Sequence, residues 1–148
     1  MKQLSRPFLG ALLALAVLLV SGRSEAAHLR LNLGADYHVN HGALFSATGA
    51  VDFVLTGPLS IGPRVGLALS SLDNAAGLPL DLNLRLSPQS APMYVELLVG
   101  PWLFFQGDTV RAHAAFGIGY QGRSFGIGLE VGYLEPAPHV GLRVGWRF

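Results

Sequence analysis

The chain has 148 residues, of which 51% are hydrophobic and only 13% charged, with a formal net charge of +1. A water-soluble domain carries about 25% charged residues, so this composition excludes an ordinary solvated exterior. Ten Lys and Arg against nine Asp and Glu leave no basic excess for a nucleic-acid partner, and the absence of cysteine removes disulfides, thiol chemistry and a lipidated cysteine anchor.

The first segment is a leader. Lys2 and Arg6 form a basic start, Phe8 to Val20 is an almost unbroken apolar run, and Ser24-Glu25-Ala26 offers small residues at the −3 and −1 positions of a cleavage site. This predicts a cleaved Sec signal peptide over residues 1–26; the apolar run is shorter than the roughly 20 residues of a spanning helix. Residues 27–148 then form one domain, whose cations are all Arg.

From there the chain alternates with the period of two that a β-strand imposes on its side chains. Leu29 to Val39 sets Leu29, Leu31, Leu33, Ala35 and Tyr37 against Arg30, Asn32, Asp36 and His38. Ala43 to Leu55 opposes Phe45, Ala47, Val51 and Phe53 to Ser46, Thr48 and Asp52. Arg64 to Ser71 follows, with Val65, Leu67 and Leu69 against Arg64, Gly66 and Ala68. Leu78 to Ser87 alternates five leucines with Pro79, Asp81, Asn83, Arg85 and Ser87. Met93 to Phe105 sets Met93, Val95, Leu97 and Val99 against Tyr94, Glu96 and Leu98, then meets Gly100-Pro101, where a bulge or irregular end is predicted. Thr109 to Tyr120 and Phe125 to Leu134 continue the pattern. His139 to Phe148 is the last segment: Val140, Leu142, Val144, Trp146 and Phe148 share one face, and His139, Gly141, Arg143, Gly145 and Arg147 the other.

Eight such segments joined by short turns predict an all-β, eight-stranded antiparallel up-and-down barrel. A soluble lipocalin-like barrel would turn its apolar face inward and show a charge-rich exterior. Here the polar faces are mostly Gly, Ser, Ala and Asn with isolated charges, so the apolar face is expected outside, against lipid. Aromatics near strand ends, among them Tyr37, Phe45, Trp102, Phe104, Tyr120, Phe125, Tyr133 and Trp146, are expected to form interfacial girdles.

The domain resembles the small eight-stranded bacterial outer-membrane barrels, the group of the outer-membrane protein A transmembrane domain and its OmpX-like and OmpW-like relatives. The leader, the alternating segments and the final Val144-x-Trp146-x-Phe148 carry the resemblance. It implies a porin-like transmembrane protein of the Gram-negative outer membrane, in contact with its lipids and lipopolysaccharide. It also implies that Trp146 and Phe148 are read by the barrel-assembly machinery. Two departures are the lack of a peptidoglycan-binding domain after Phe148 and outward loops too short for an adhesin.

Candidate chemistry is sparse. Gly117-Ile118-Gly119-Tyr120-Gln121-Gly122 matches GxGxxG but runs from one strand into another rather than opening a helix, so no dinucleotide is expected. His38 and His41 near Asp36 make a weak metal pattern at the first outward loop. Lipid A deacylases among these barrels use a His-x-Ser pair with a Glu; His113-Ala114-Ala115, with Glu130 on the next strand, lacks the nucleophile. No catalytic, cofactor or metal residues are therefore expected, and the protein is read as a non-enzymatic structural or interaction barrel, ahead of a narrow channel and of a lipid A-modifying enzyme.

The inward-facing charges must be paired. Two clusters are expected: Arg30 with Asp52, with Arg64 close by, and His113–Glu130–Arg143 across the last three strands. In this reading Arg30 lies directly opposite Asp52, and Glu130 directly opposite both Arg143 and His113.

Overall fold

The computed structural model describes residues 27–40, 42–71, 74–107 and 109–148. The predicted signal peptide and His41 lie outside the described residues. Eight strands follow one another: β1 Ala27–His38, β2 Gly42–Thr56, β3 Leu59–Ser70, β4 Ala76–Leu86, β5 Met93–Phe104, β6 Val110–Gln121, β7 Phe125–Leu134 and β8 Ala137–Arg147. Each pairs antiparallel with the next, and β8 returns to β1 to close the barrel. Closure leaves no strand edge with unpaired backbone groups. The seam continues to the last residue, where the Phe148 amide donates to the Leu29 carbonyl at 2.9 Å.

We call the end where β1 begins and β8 finishes the proximal end, and the other the distal end. Asn40 and Asn74, in two of the distal connections, take the left-handed backbone conformation, φ 63° and 49°, which asparagine tolerates better than most residues.

The two faces of the wall differ sharply. Leu29, Leu31, Leu33, Leu67, Val140 and Leu142 are among the exposed apolar side chains of the exterior, while Arg30, Asp36, Arg64, Asp81, Glu130 and Arg143 are buried inside. This is the reverse of a soluble barrel. Exposed aromatics collect at both ends, Tyr37, Phe45, Phe105 and Tyr133 distally and Tyr120, Phe125, Trp146 and Phe148 proximally. Among the described residues, no helix is long and apolar enough to cross a membrane.

The irregular end expected at Gly100-Pro101 is not there. β5 runs through it to Phe104. Only the ladder to β4 skips the pair, resuming at Pro79↔Trp102 in the register of Leu82↔Val99, because Pro101 has no N–H to donate. At Gly100 the two strands approach so closely that a Cβ would meet the Leu80 carbonyl. A register shift lies instead in β2, between Val54 and Thr56.

Since alternation survives Pro101, Trp102 and Phe104 point inward, 1% exposed each. They are not girdle residues.

A closed barrel unfolds only when the whole ladder is broken. The refolded protein is therefore expected to migrate differently in SDS before and after boiling; identical migration would contradict a closed barrel.

Candidate functional site in the barrel lumen

The lumen of eight strands has room for side chains and little more, and the packing here shows how that room is allotted. Large charged residues on one strand face glycine on the next. Gly34 sits opposite Arg143, and Gly141 opposite Asp36. Gly117 sits opposite both Glu96 and Glu130. Gly128 faces Arg143 and Gly100 faces His113. A Cβ on Gly141 would fall on the Asp36 carboxylate, and one on Gly34 would lie against the Arg143 guanidinium and Ser46. Each glycine leaves the space into which its neighbour's side chain extends, so charges meet diagonally.

That corrects the expected registers. Arg30 lies opposite Ala50, Glu130 opposite Gly141 and His113 opposite Leu134. The side chains nonetheless reach one another. Arg30 Nε donates to Asp52 Oδ2 at 3.2 Å. Arg143 binds Glu130 side-on, Nε to Oε2 at 3.0 Å and Nη2 to Oε1 at 2.6 Å. His113 Nε2 lies 3.9 Å from Glu130 Oε1.

Arg64 is the larger correction. It does not join Arg30 and Asp52; it donates to Asp81 through Nη2 at 2.7 Å and to Glu130 through Nη1 at 3.1 Å. Arg64 faces Asp81 directly across β3 and β4, an opposite pair the expected grouping overlooked.

Two layers result. The proximal layer joins Arg30 to Asp52 and Glu96, and Arg85 to Glu96 at 3.0 Å and to Gln121 at 2.9 Å. Asn83 donates to Asp52, and the Arg85 guanidinium lies 3.6 Å above the Tyr94 ring, a cation–π contact. The middle layer joins Arg64 and Arg143 to Asp36, Asp81 and Glu130. Two histidines complete it: His113 Nδ1 lies 2.7 Å from Asp81 and His139 Nδ1 3.3 Å from Asp36.

Distal to the middle layer, Leu44, Ala68, Ala75, Trp102, Phe104 and Leu134 form an apolar cap. Trp102 links the two, its ring tilted by 45° against His113 with centroids 4.8 Å apart and its Nε1 donating to Asp81 at 3.2 Å. At the proximal end a vestibule of about 490 Å³ lies instead between the β4–β5 and β6–β7 turns, bordered by Gln89, Gln121 and Arg147. The exposed faces of Trp146 and Phe125 meet edge-on at 6.0 Å outside that end.

No protein-family model and no curated protein matches this sequence. Solved structures do. A de novo designed transmembrane β-barrel superposes with a TM-score of 0.65 at 12% identity, over 82% of this chain and 95% of that one. A second designed barrel, determined by solution NMR, gives 0.63 at 12% identity over 82% and 94%. The N-terminal β-barrel domain of Pseudomonas aeruginosa OprF gives 0.53 at 16% identity over 82% and 97%. The fold is thus that of the small eight-stranded transmembrane barrels. At such identities the likeness reaches the architecture, and the lumen must be read from its own residues.

With neutral imidazoles the middle layer holds two cations against three anions. Removing Arg143 widens that imbalance, whereas removing Glu130 cancels it and leaves Arg64 on Asp81 and Arg143 on Asp36. Arg143→Leu should therefore lower the unfolding free energy by about 3–5 kcal/mol, the range for breaking a buried pair, and Glu130→Leu by less. Urea unfolding of the refolded variants in detergent checks this; a larger loss for Glu130→Leu would contradict it.

Proposed function

We propose that the protein is an integral barrel of the Gram-negative outer membrane with a structural or interaction role, its lumen closed rather than conducting. The observation that carries the reading is the pairing of an apolar exposed exterior with an interior filled by two hydrogen-bonded ion layers and an apolar cap. Charges that satisfy one another at 2.6–3.2 Å form a plug, since each is bound to its neighbours and not left to solvate a passing ion. The exposed apolar band provides the contact with outer-membrane lipids and lipopolysaccharide. An even strand number puts the proximal end on the periplasmic side and the capped end outward.

A non-enzymatic role is supported by Ala115, which stands where a His-x-Ser pair would need its hydroxyl, and by the engagement of His113 with Asp81 and His139. The proximal vestibule favours a narrow channel as the second reading. Planar-bilayer recording separates the two. The refolded protein should show no steady conductance; a stable unitary conductance would establish the channel and remove the plug.

The assembly role of Trp146 and Phe148 is part of the same proposal. It is supported by their exposed position at the end of the strand that closes the barrel, where an incoming chain presents them before closure. Deleting Phe148 should reduce the amount inserted in the outer membrane without reducing export. Full insertion of the truncated chain would show that the two are membrane-interface aromatics only.

A further inference from the structure

Three buried donor atoms converge in the middle layer. Those of His113, Glu130 and His139 all lie within 4.8 Å of one another, and the two imidazoles face each other through their Nε2 atoms at 3.3 Å. A carboxylate accepts hydrogen bonds and cannot donate them. Contact with Asp81 therefore puts the His113 proton on Nδ1, and contact with Asp36 does the same for His139. With no second proton on either ring the Nε2 lone pairs point at one another, an arrangement that repels unless something positive sits between them.

The spacing indicates what fits. A tetrahedral zinc ion with Zn–N bonds of about 2.0–2.1 Å holds its two nitrogens about 3.3–3.4 Å apart, and the observed separation is 3.3 Å. Metal-bound histidines characteristically donate their other nitrogen to a carboxylate, which orients the ring and raises its basicity; Asp81 and Asp36 stand in those positions. Glu130 Oε1, 3.9 Å from His113 Nε2, adds an oxygen donor after a small movement. The layer also tolerates a cation, because its two arginines, although bonded to all three carboxylates, carry one charge fewer than they do.

We propose that His113, His139 and Glu130 form an intraluminal site for a divalent transition-metal ion of the zinc class, beneath the Trp102 and Phe104 cap. The site differs from the His38, His41 and Asp36 pattern of the first outward loop. Within it the imidazoles bind as neutral ligands and Glu130 as a carboxylate that keeps its bonds to Arg64 and Arg143. A proton shared by the two Nε2 atoms is the competing occupant, released to solvent when the ion enters. The side chains are fully buried, so the ion enters while the barrel closes. The inference stands whether or not the barrel conducts.

The test is Co²⁺ titration of the whole protein in detergent micelles, with the metal present during refolding and, separately, added afterwards. The expected result is one Co²⁺ per chain with the intense visible absorption of a tetrahedral site, displaced by Zn²⁺. His139→Gln and His113→Gln should abolish that spectrum. His38→Gln, which changes the cross-strand neighbour of His139, should leave it intact. Boiled and unboiled migration in SDS establishes that each variant has folded. Wild-type protein that takes up no Co²⁺ under either protocol overturns the proposal without any variant and assigns the space to the shared proton. Tetrahedral Co²⁺ bound undiminished by folded His139→Gln overturns it as well.

Discussion

An unpaired buried charge costs several kcal/mol, and in a barrel of eight strands every partner must be found within a lumen only side chains can fill. That double constraint organises the inward face. Arg143 can span from Glu130 to Asp36 because Gly34 and Gly128, its two cross-strand neighbours, contribute no side-chain bulk. Glu130 lies between Gly117 and Gly141 for the same reason. The abundance of glycine in the later strands is thus the counterpart of the charges. A charge opposite a bulky residue would clash, and where glycine faces glycine, at Gly119 and Gly128, the Tyr94 ring fills the space instead.

The cap extends this logic to the distal end. Trp102 fills space, and its indole N–H gives Asp81 a further donor while its ring covers His113. Apolar packing and the ion layers are joined through one residue. Among the described residues the proximal end has no such lid, and its Arg147 borders open space. The barrel is therefore polar in its structural asymmetry, closed at one end and open at the other, with the most completely buried charges between.

Side-chain parity was the strongest signal in the sequence. Alternation alone places Arg30, Asp52, Arg64, His113, Glu130 and Arg143 on a common face, the face this barrel turns inward. Partners were harder to read. Placing opposite charges directly opposite ignores their length: an arginine that reaches diagonally needs a small residue across from it, and the inward-facing glycines mark those places. Arg64 and Asp81 are the converse, facing each other directly in a register that the β3–β4 hairpin sets. Pro101 misled in another way. A proline interrupts one ladder by lacking a donor but leaves the pleat intact, so carrying the parity of Tyr94 and Glu96 through it would have put Trp102 and Phe104 inside. His139 was visible on the inward face of the last strand, yet its convergence with His113 depends on the registers of two hairpins, which the sequence pattern does not determine.

The central claim is that the lumen charges satisfy one another with water excluded. Exchange of arginine side-chain protons, followed by ¹⁵N NMR on the micelle-bound protein after transfer to D₂O, reads this most directly. The Nε–H of Arg64, bound to Asp81, and of Arg143, bound to Glu130, should persist long after that of the exposed Arg123 has vanished. Exchange of all three at the rate of a solvated arginine would show that water fills the lumen and would contradict the account.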